Sequence, residues 1–383
     1  MVTTPPATGP VATRVPEHTA TPTTPLPRAE RLRIGVLAPP WFTVPPERYG
    51  GIEAVVALLA DGLADRGHDV TLFASGGSVS EARIVDRFGE PPTELLGRTD
   101  ADVHHALLAF EHRDDLDVLT GHCGVAGIVI GELTGVPSLH TVHGTLSDGS
   151  APLYERVMAA APGACLASLT HAQRRPAPNL PWVANLPNAI DLDSHVLVEG
   201  ADRTYVAWLG RMSEDKGPDR AIRVARSAGV PIRLAGKMLE PAERSYFEQH
   251  VEPLLGDDAV YVGEVDADGR NRLLAGARAL LMPIDWDEPF GLAMIEAMAC
   301  GVPVIANRRG SVPEVIEPGR SGLIVEDEDA MVEALGQLDG FDPRECRAAV
   351  EERFSPDAMV GRYEQALRRV LELSRADAAR LPS

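Results

Sequence analysis

The sequence predicts an α/β protein built from two facing, doubly wound parallel-sheet domains with a ligand cleft between them. Three observations carry this. Short, nearly continuous apolar runs alternate with longer segments of helical spacing, the pattern of a parallel sheet covered on both faces. The alternation occurs in two series of similar length. The motifs with chemical potential fall just after the apolar runs, at the carboxyl ends of strands, where such sheets bind ligands. A chain of 383 residues is comfortable for two domains.

In order along the chain, residues 1–30 form a leader. The first 27 residues hold seven prolines and eight threonines and almost no large apolar side chain. Such a segment lacks the surface to bury that would order it, and lacks the apolar middle of a signal peptide. The first domain is assigned to 31–188. Its strands are read at LRIGVLA, DVTLFAS, DVLTGHC, PSLHTVHG and ACLASLT, and its first helix at GIEAVVALLADGLADRG, closed by Gly67. The segment AIDLDSHVLVEGADR, from Ala189 to Arg203, is acidic and weakly periodic and reads as the linker. The second domain, 189–355, carries strands at TYVAWLG, PIRLAG, AVYVGEV, ARALLMPI, PVIANRR and GLIVED. A last helix, 356–375, is expected to return to the first domain.

Composition excludes some functions. A net charge of −20 argues against a nucleic-acid binder. It also disfavours broad adsorption to anionic lipid, while a local basic patch for peripheral membrane contact stays compatible. No apolar run approaches the roughly 18 residues needed to span a bilayer. Cys123, Cys165, Cys300 and Cys346 are far apart and have no metal-ligand spacing. They read as reduced, buried thiols of a cytoplasmic protein. No G-x-G-x-x-G opens either domain, which argues against a hydride-transferring dehydrogenase.

The residues with chemical potential form a short set. Glu288 and Glu296 lie eight positions apart in EPFGLAMIE, one before a helix N-terminus and one on the helix. A helix N-terminus attracts anions. Carboxylates beside it suit an anion flanked by hydroxyls, as in a nucleotide-sugar; surface glutamates are the plain alternative. Gly50 and Gly51 open the first helix, where backbone can approach a phosphate, or simply turn. Arg211 and Lys216 share the loop after the first strand of the second domain and can converge on a diphosphate. His143, at the loop after PSLHTV, can donate a hydrogen bond or act as acid or base, or be an ordinary loop histidine. His140 reads as packed, His122 as cleft lining, and His104 and His105 as helix surface. Asp285 and Asp287, with Glu288, make the nearest approach to a metal cluster, and no metal is expected there.

The ordered set GG, HG, GR…KG and EPFG with its second Glu resembles the family 4 (group 1) glycosyltransferases, which have the GT-B fold. The resemblance runs from Leu32 to about Val370. It implies a retaining transfer from a nucleotide-diphosphate sugar, with no cofactor besides that donor substrate. On the matching positions, Arg211 and Lys216 would hold the diphosphate and Gly51 would close over it. Glu288 would bind sugar hydroxyls, and the backbone of Phe290, Gly291 and Leu292 would meet sugar and phosphate. Glu296 would bind the ribose, and His143 would contact the sugar near the reacting carbon. The segment Gly263–Asp266, with Val265, would line the base pocket. The donor pair that leads is UDP-glucose and GDP-mannose. The acceptor is a sugar, glycoside or small-molecule hydroxyl, with Trp41, Arg48, Tyr49 and Arg113 as candidate lining. NAID departs from the family's more frequent Asn-Gly, with Ala189 in place of the Gly. Two other readings are a non-catalytic nucleotide-sugar-binding partner subunit and a different enzyme on the same fold, such as an epimerase.

Overall fold

The computed structural model describes residues 30–48, 50–147, 149–200 and 202–378. The proline- and threonine-rich segment read as a leader lies outside the described residues except for Glu30, and so does Tyr49. The first sheet contains β1 (Arg33–Leu37), β2 (Asp69–Phe73), β3 (Arg83–Val85), β4 (Val118–Gly121), β5 (Ser138–Thr141), β6 (Ala164–Ser168) and β7 (Trp182–Asn185). Its helices are α1 (Gly51–Asp65), α2 (Thr99–Glu111), α3 (Gly124–Thr134) and α4 (Ala151–Ala160). The strands are all parallel, in the order β3-β2-β1-β4-β5-β6-β7. The order reverses between β1 and β4, which opens a crevice at their carboxyl ends.

The second sheet repeats the plan. It contains β8 (Tyr205–Leu209), β9 (Ile232–Ala235), β10 (Ala259–Tyr261), β11 (Ala277–Met282), β12 (Val304–Asn307) and β13 (Gly322–Val325). Its helices are α5 (Pro218–Ser227), α6 (Pro241–Tyr246), α7 (Ala267–Ala275), α8 (Leu292–Ala299), α9 (Val312–Val315), α10 (Glu328–Ala334) and α11 (Pro343–Arg353). The order is β10-β9-β8-β11-β12-β13, again all parallel, with its reversal between β8 and β11. The central strands are apolar along their length because helices cover both faces, and Val206, Ala207, Leu280 and Leu281 are fully buried.

α1 shows why the helices form where they do. Val55, Val56, Leu59, Ala60 and Leu63 recur at helical spacing and are buried against the first sheet. The final helix, α12 (Pro356–Ala378), starts on a proline suited to a first helical turn. It buries Met359, Val360, Tyr363, Leu367 and Val370 in the core of the first domain, beside α1. Each such side chain contributes roughly 1.5–3 kcal/mol. The Tyr363 hydroxyl meets Thr141 Oγ1 of β5 at 2.9 Å. The segment from Ala189 to Arg203 is held to the second domain: Arg347 donates to the carbonyls of Leu192 and His195, and Asn271 to that of Ser194. Ala189 is buried, and no described residue other than glycine has a positive φ, so this turn accepts a side chain.

Two expectations change here. His105 is not on the surface: it is fully buried, with Nε2 3.0 Å from the Ala38 carbonyl. Its spacing from Ala101 and Leu108 puts it on the apolar stripe of α2. Arg113 sits in the short turn that precedes β4, at the opposite end of the sheet from the cleft, where it lies over the Phe110 ring. It does not line an acceptor surface in that cleft.

Candidate active site

Loops from the two order reversals meet across the cleft. In the second domain, the loop after β8 brings Arg211 and Lys216, and the loop after β11 brings Trp286 and Glu288. Local bonds fix both. The Trp208 indole donates to the Lys216 carbonyl at 3.2 Å, the Asp285 N–H to the Asp215 carbonyl at 3.0 Å, and Arg220 to the Pro283 carbonyl at 2.8 Å. Lys216 Nζ then lies 4.5 Å from the Trp286 ring centroid, and the Arg211 guanidinium carbon 6.0 Å from it. Two cations therefore lie against one aromatic ring. Arg211 also meets Asp215 at 3.2 Å.

Lys216 forms an ion pair with Glu288, which is itself buried. The sequence separates these residues by 72 positions and gives no sign of the pair. The three carboxylates of DWDE face three different partners. Asp285 binds Arg309 at 3.0 Å, Asp287 accepts the Gly310 N–H at 3.1 Å, and Glu288 binds Lys216. They do not converge on one point.

After Glu288 the chain turns into α8. Gly291 makes this turn with a φ of +82°, where a side chain is strained, and an added Cβ would lie 2.6 Å from Met294 Cε. The Phe290 ring points away from the cleft and packs edge-on against Phe354 with centroids 5.5 Å apart. Its carbonyl accepts from Ser311 Oγ at 2.8 Å. The first N–H groups of α8 have no intrahelical acceptor and are left for another partner. On the helix, Glu296 is half-buried and accepts from Arg270 of α7 at 3.1 Å. Burial raises its carboxyl pKa, and Arg270 pulls it back. Arg270 is a site residue the sequence did not reveal. Gly263 takes a φ of +87° after β10, and Asp266 caps α7 by accepting the Gly269 N–H at 2.8 Å. Val265 packs on the core between them. The Gly263–Asp266 segment therefore leads directly into the helix that carries Arg270 to Glu296.

The first domain supplies the opposing wall. Gly50 precedes α1 with a φ of +148°, and Gly51 is its first residue. A Cβ on Gly51 would lie 2.9 Å from Leu292 Cδ1, at the first residue of α8. The N-termini of α1 and α8 therefore approach each other across the cleft, and their dipoles add for an anion between them. Glu53, in the first turn of α1, is buried, and burial raises its pKa to about 7. The ammonium of Lys237, which follows β9, opposes that shift from the second domain. Lys237 is buried beside Glu243 at 4.0 Å, and the Arg211 charge helps lower its pKa, after burial itself.

His143, after β5, shares a hydrogen bond of 2.8 Å with His122, after β4. Burial lowers the His143 pKa to about 4 and holds His122 well below the ordinary imidazole value, with His143 and His140 adding to the effect. The pair is neutral near pH 7, and one proton lies between Nε2 of His143 and Nδ1 of His122. His122, itself buried, thus orients His143. His140 is packed, as read, with Nε2 3.0 Å from Ser138 Oγ. Trp41 is half-buried and its carbonyl accepts from Thr93; Arg48 is exposed.

The domains are also tied together at the cleft edge. Thr170 Oγ1 donates to the Pro289 carbonyl at 3.0 Å, and Glu314 accepts the N–H groups of His171 and Ala172 at 2.8 and 2.7 Å.

A family model described as Glycosyltransferase Family 4 matches residues 49–190, and one described as Glycosyl transferases group 1 matches 190–338. A D-inositol 3-phosphate glycosyltransferase of Xylanimonas cellulosilytica is 26% identical over 84% of this chain and 93% of that protein. A GDP-mannose-dependent alpha-(1-6)-phosphatidylinositol monomannoside mannosyltransferase of Mycolicibacterium smegmatis is 31% identical over 38% of this chain and 41% of its own. The crystal structure of AviGT4, a glycosyltransferase involved in avilamycin A biosynthesis, superposes with a TM-score of 0.66 at 25% identity, covering 89% of this chain and 98% of that one. Both sheets fall within a GT-B arrangement.

Proposed function

The chain belongs to the family 4 (group 1) glycosyltransferases, and from that premise we propose a retaining transfer of a hexose from a nucleotide-diphosphate sugar to a hydroxyl acceptor. The donor is of the UDP-glucose or GDP-mannose type. The approach of Arg211 and Lys216 to the same Trp286 ring, on the loops after β8 and β11, carries the proposal.

The chemistry follows from charge. Breaking the bond between the sugar carbon and the phosphate oxygen leaves about one more negative charge on the diphosphate. A cation at ~4 Å contributes up to ~4 kcal/mol at an effective dielectric near 20. Arg211, Lys216 and the two helix ends supply that stabilisation where the charge develops. Lys216 carries three N–H donors, so Glu288 can orient the ammonium and leave a donor for phosphate. The carboxylate of Glu288 also accepts from donor-sugar hydroxyls. Glu296, oriented by Arg270, accepts from the ribose hydroxyls. His143, neutral and oriented by His122, uses its remaining ring nitrogen to contact the sugar. Attack comes from the face that the phosphate leaves, and the departing phosphate oxygen takes the acceptor proton.

The reading places the enzyme in the cytoplasm. No helix among the described residues is long and apolar enough to cross a membrane. The acceptor is a sugar, glycoside or small-molecule hydroxyl. The deciding experiment measures nucleoside diphosphate release from a panel of UDP- and GDP-sugars, with and without acceptor, and the anomeric configuration of the product. Acceptor-dependent release with retained configuration supports the reading. Inverted configuration, or the absence of transfer from every donor, overturns it.

A further inference from the structure

Behind the EPFG loop, at the edge where Thr170 and Glu314 tie the domains together, lies a cavity of about 480 Å³. Its walls include His171, Glu314, Arg353 and Arg362 and the rings of Phe290 and Phe354. A second cavity of about 360 Å³ shares His171 and adds Arg174, Arg175 and Trp182. Arg353, Arg362 and Arg174 thus line two cavities that share His171, on a chain with 56 acidic and 36 basic residues. Most cations of such a chain have acids at hand, so the partners of these three are informative.

Arg353 is committed: it donates to Glu317 at 2.8 Å and to the Val315 carbonyl at 3.1 Å. Glu314, the acid in the groove, spends both oxygens on the N–H groups of His171 and Ala172. Arg362 donates to the Arg353 carbonyl at 2.9 Å, and Arg174 to Ser168 Oγ at 2.6 Å while lying over Trp182. Among the described residues, neither has a carboxylate within ion-pair distance. Burial lowers the pKa of both guanidinium groups; the neighbouring Arg353 charge lowers that of Arg362 further, and Glu314 opposes the shift at Arg174. Arginines with acid partners, such as Arg33, Arg226 and Arg344, shift the other way. A desolvated cation without a counter-charge is costly and gains most from an incoming anion.

We propose that this double cavity binds a phosphate dianion carried by a small metabolite of sugar-phosphate size. Arg362 in the first cavity and Arg174 in the second each present a planar guanidinium fork, which can pair with two oxygens of a phosphate group. Cavities of this volume hold a metabolite and not a polymer. The ligand would touch both domains and the rear of the EPFG loop through Phe290. Its binding would then be linked to closure of the cleft, and by reciprocity donor binding would alter its affinity. This site is separate from the one formed by Arg211 and Lys216, and the inference does not rest on the donor assignment.

The test is calorimetry on the full chain at constant ionic strength, with inorganic phosphate, glucose 6-phosphate and glucose as probes. Glucose 6-phosphate should bind with a Kd below about 1 mM, and glucose should not bind. Arg362→Gln and Arg174→Gln keep one donor for the existing bond and should each weaken binding by about tenfold or more. Arg211→Ala should leave it unchanged. Equal affinity for phosphate and glucose 6-phosphate supports free phosphate as the occupant, and tighter binding of the ester supports a sugar phosphate. Absence of heat with both anions overturns the proposal. So does binding lost in Arg211→Ala and kept in Arg362→Gln, which places the anion in the other site. If one glutamine variant does not fold, as read by circular dichroism, the other carries the test alone.

Discussion

Lys216 and Glu288 hold each other in the cleft, and so do Arg270 and Glu296. Breaking either pair by neutralising the acid leaves a cation behind, and where that cation points decides the effect on binding. In Glu288→Gln, Lys216 loses its counter-charge but keeps the diphosphate as a partner. Free nucleoside diphosphate should bind as tightly as in wild type or more so. Turnover should fall, because the sugar contact tightens as charge develops at the reacting carbon. In Glu296→Gln the ribose contact weakens equally in donor and free nucleotide, by roughly 1.5–3 kcal/mol for a hydrogen bond to a charged group. Calorimetry of both variants with free UDP and GDP checks this; the reverse order of affinities would sink the assignment of sugar to Glu288 and ribose to Glu296. Glu53 has a different signature. Its folded pKa of about 7 lies above the ordinary carboxylate value, so the folded state holds its proton more tightly. The stability this contributes is complete below about pH 4.5 and is lost as pH rises towards 7, by at most about 3 kcal/mol. Glu53→Gln, which stays neutral, should match wild type at pH 4 and exceed it at pH 8 in chemical denaturation. A constant difference across that range would show that Glu53 is already ionised in the fold.

Elements decide which of these residues meet. The long apolar strands and the helices with a clean stripe, α1 and α12, were legible because one periodicity dominates each. β3 and β7 were not: they have three and four residues, lie at the two edges of their sheet, and carry no long apolar run. The positions of Arg211, Lys216, Glu288 and Glu296 after strands or on a helix were likewise legible. The ion pairs among them were not, because strand order and not chain order sets β8 beside β11. Arg270, Lys237 and Glu53 were missed for the same reason, since each faces the site from a separate element. His105 is the opposite case, a residue whose helical spacing from Ala101 and Leu108 already pointed inward. The turn into α8 gives a test at this scale. Gly291→Ala places a side chain at a φ of +82° and against Met294. The backbone alone should cost roughly 1–2 kcal/mol, and the displaced α8 N-terminus should lower turnover. Unchanged melting temperature and turnover would mean that the helix end does not need this geometry.

At the scale of the whole molecule, the two sheets must come together for any of this to operate, and few bonds cross the cleft edge to bring that about. Glu314 makes two of them, to the N–H groups of His171 and Ala172, and Thr170 makes a third to the Pro289 carbonyl. A carboxylate accepts at both oxygens, whereas a carboxamide accepts at one and donates at the other. Glu314→Gln therefore removes one charge-assisted bond and places an amide N–H against a backbone N–H. The loss of roughly 1.5–3 kcal/mol corresponds to about a ten- to hundredfold shift towards open forms. Apparent donor affinity falls in proportion to the closed fraction. Turnover at saturating donor should fall much less, because the donor itself draws the domains together through Gly51 and the α8 end. The expected outcome is a larger radius of gyration by small-angle scattering without ligand, a value near wild type with saturating nucleotide, and a raised KM for the donor. An unchanged radius of gyration together with an unchanged KM would show that closure is set elsewhere, by the buried junction of α12 with the first domain, and that Glu314 only caps its turn.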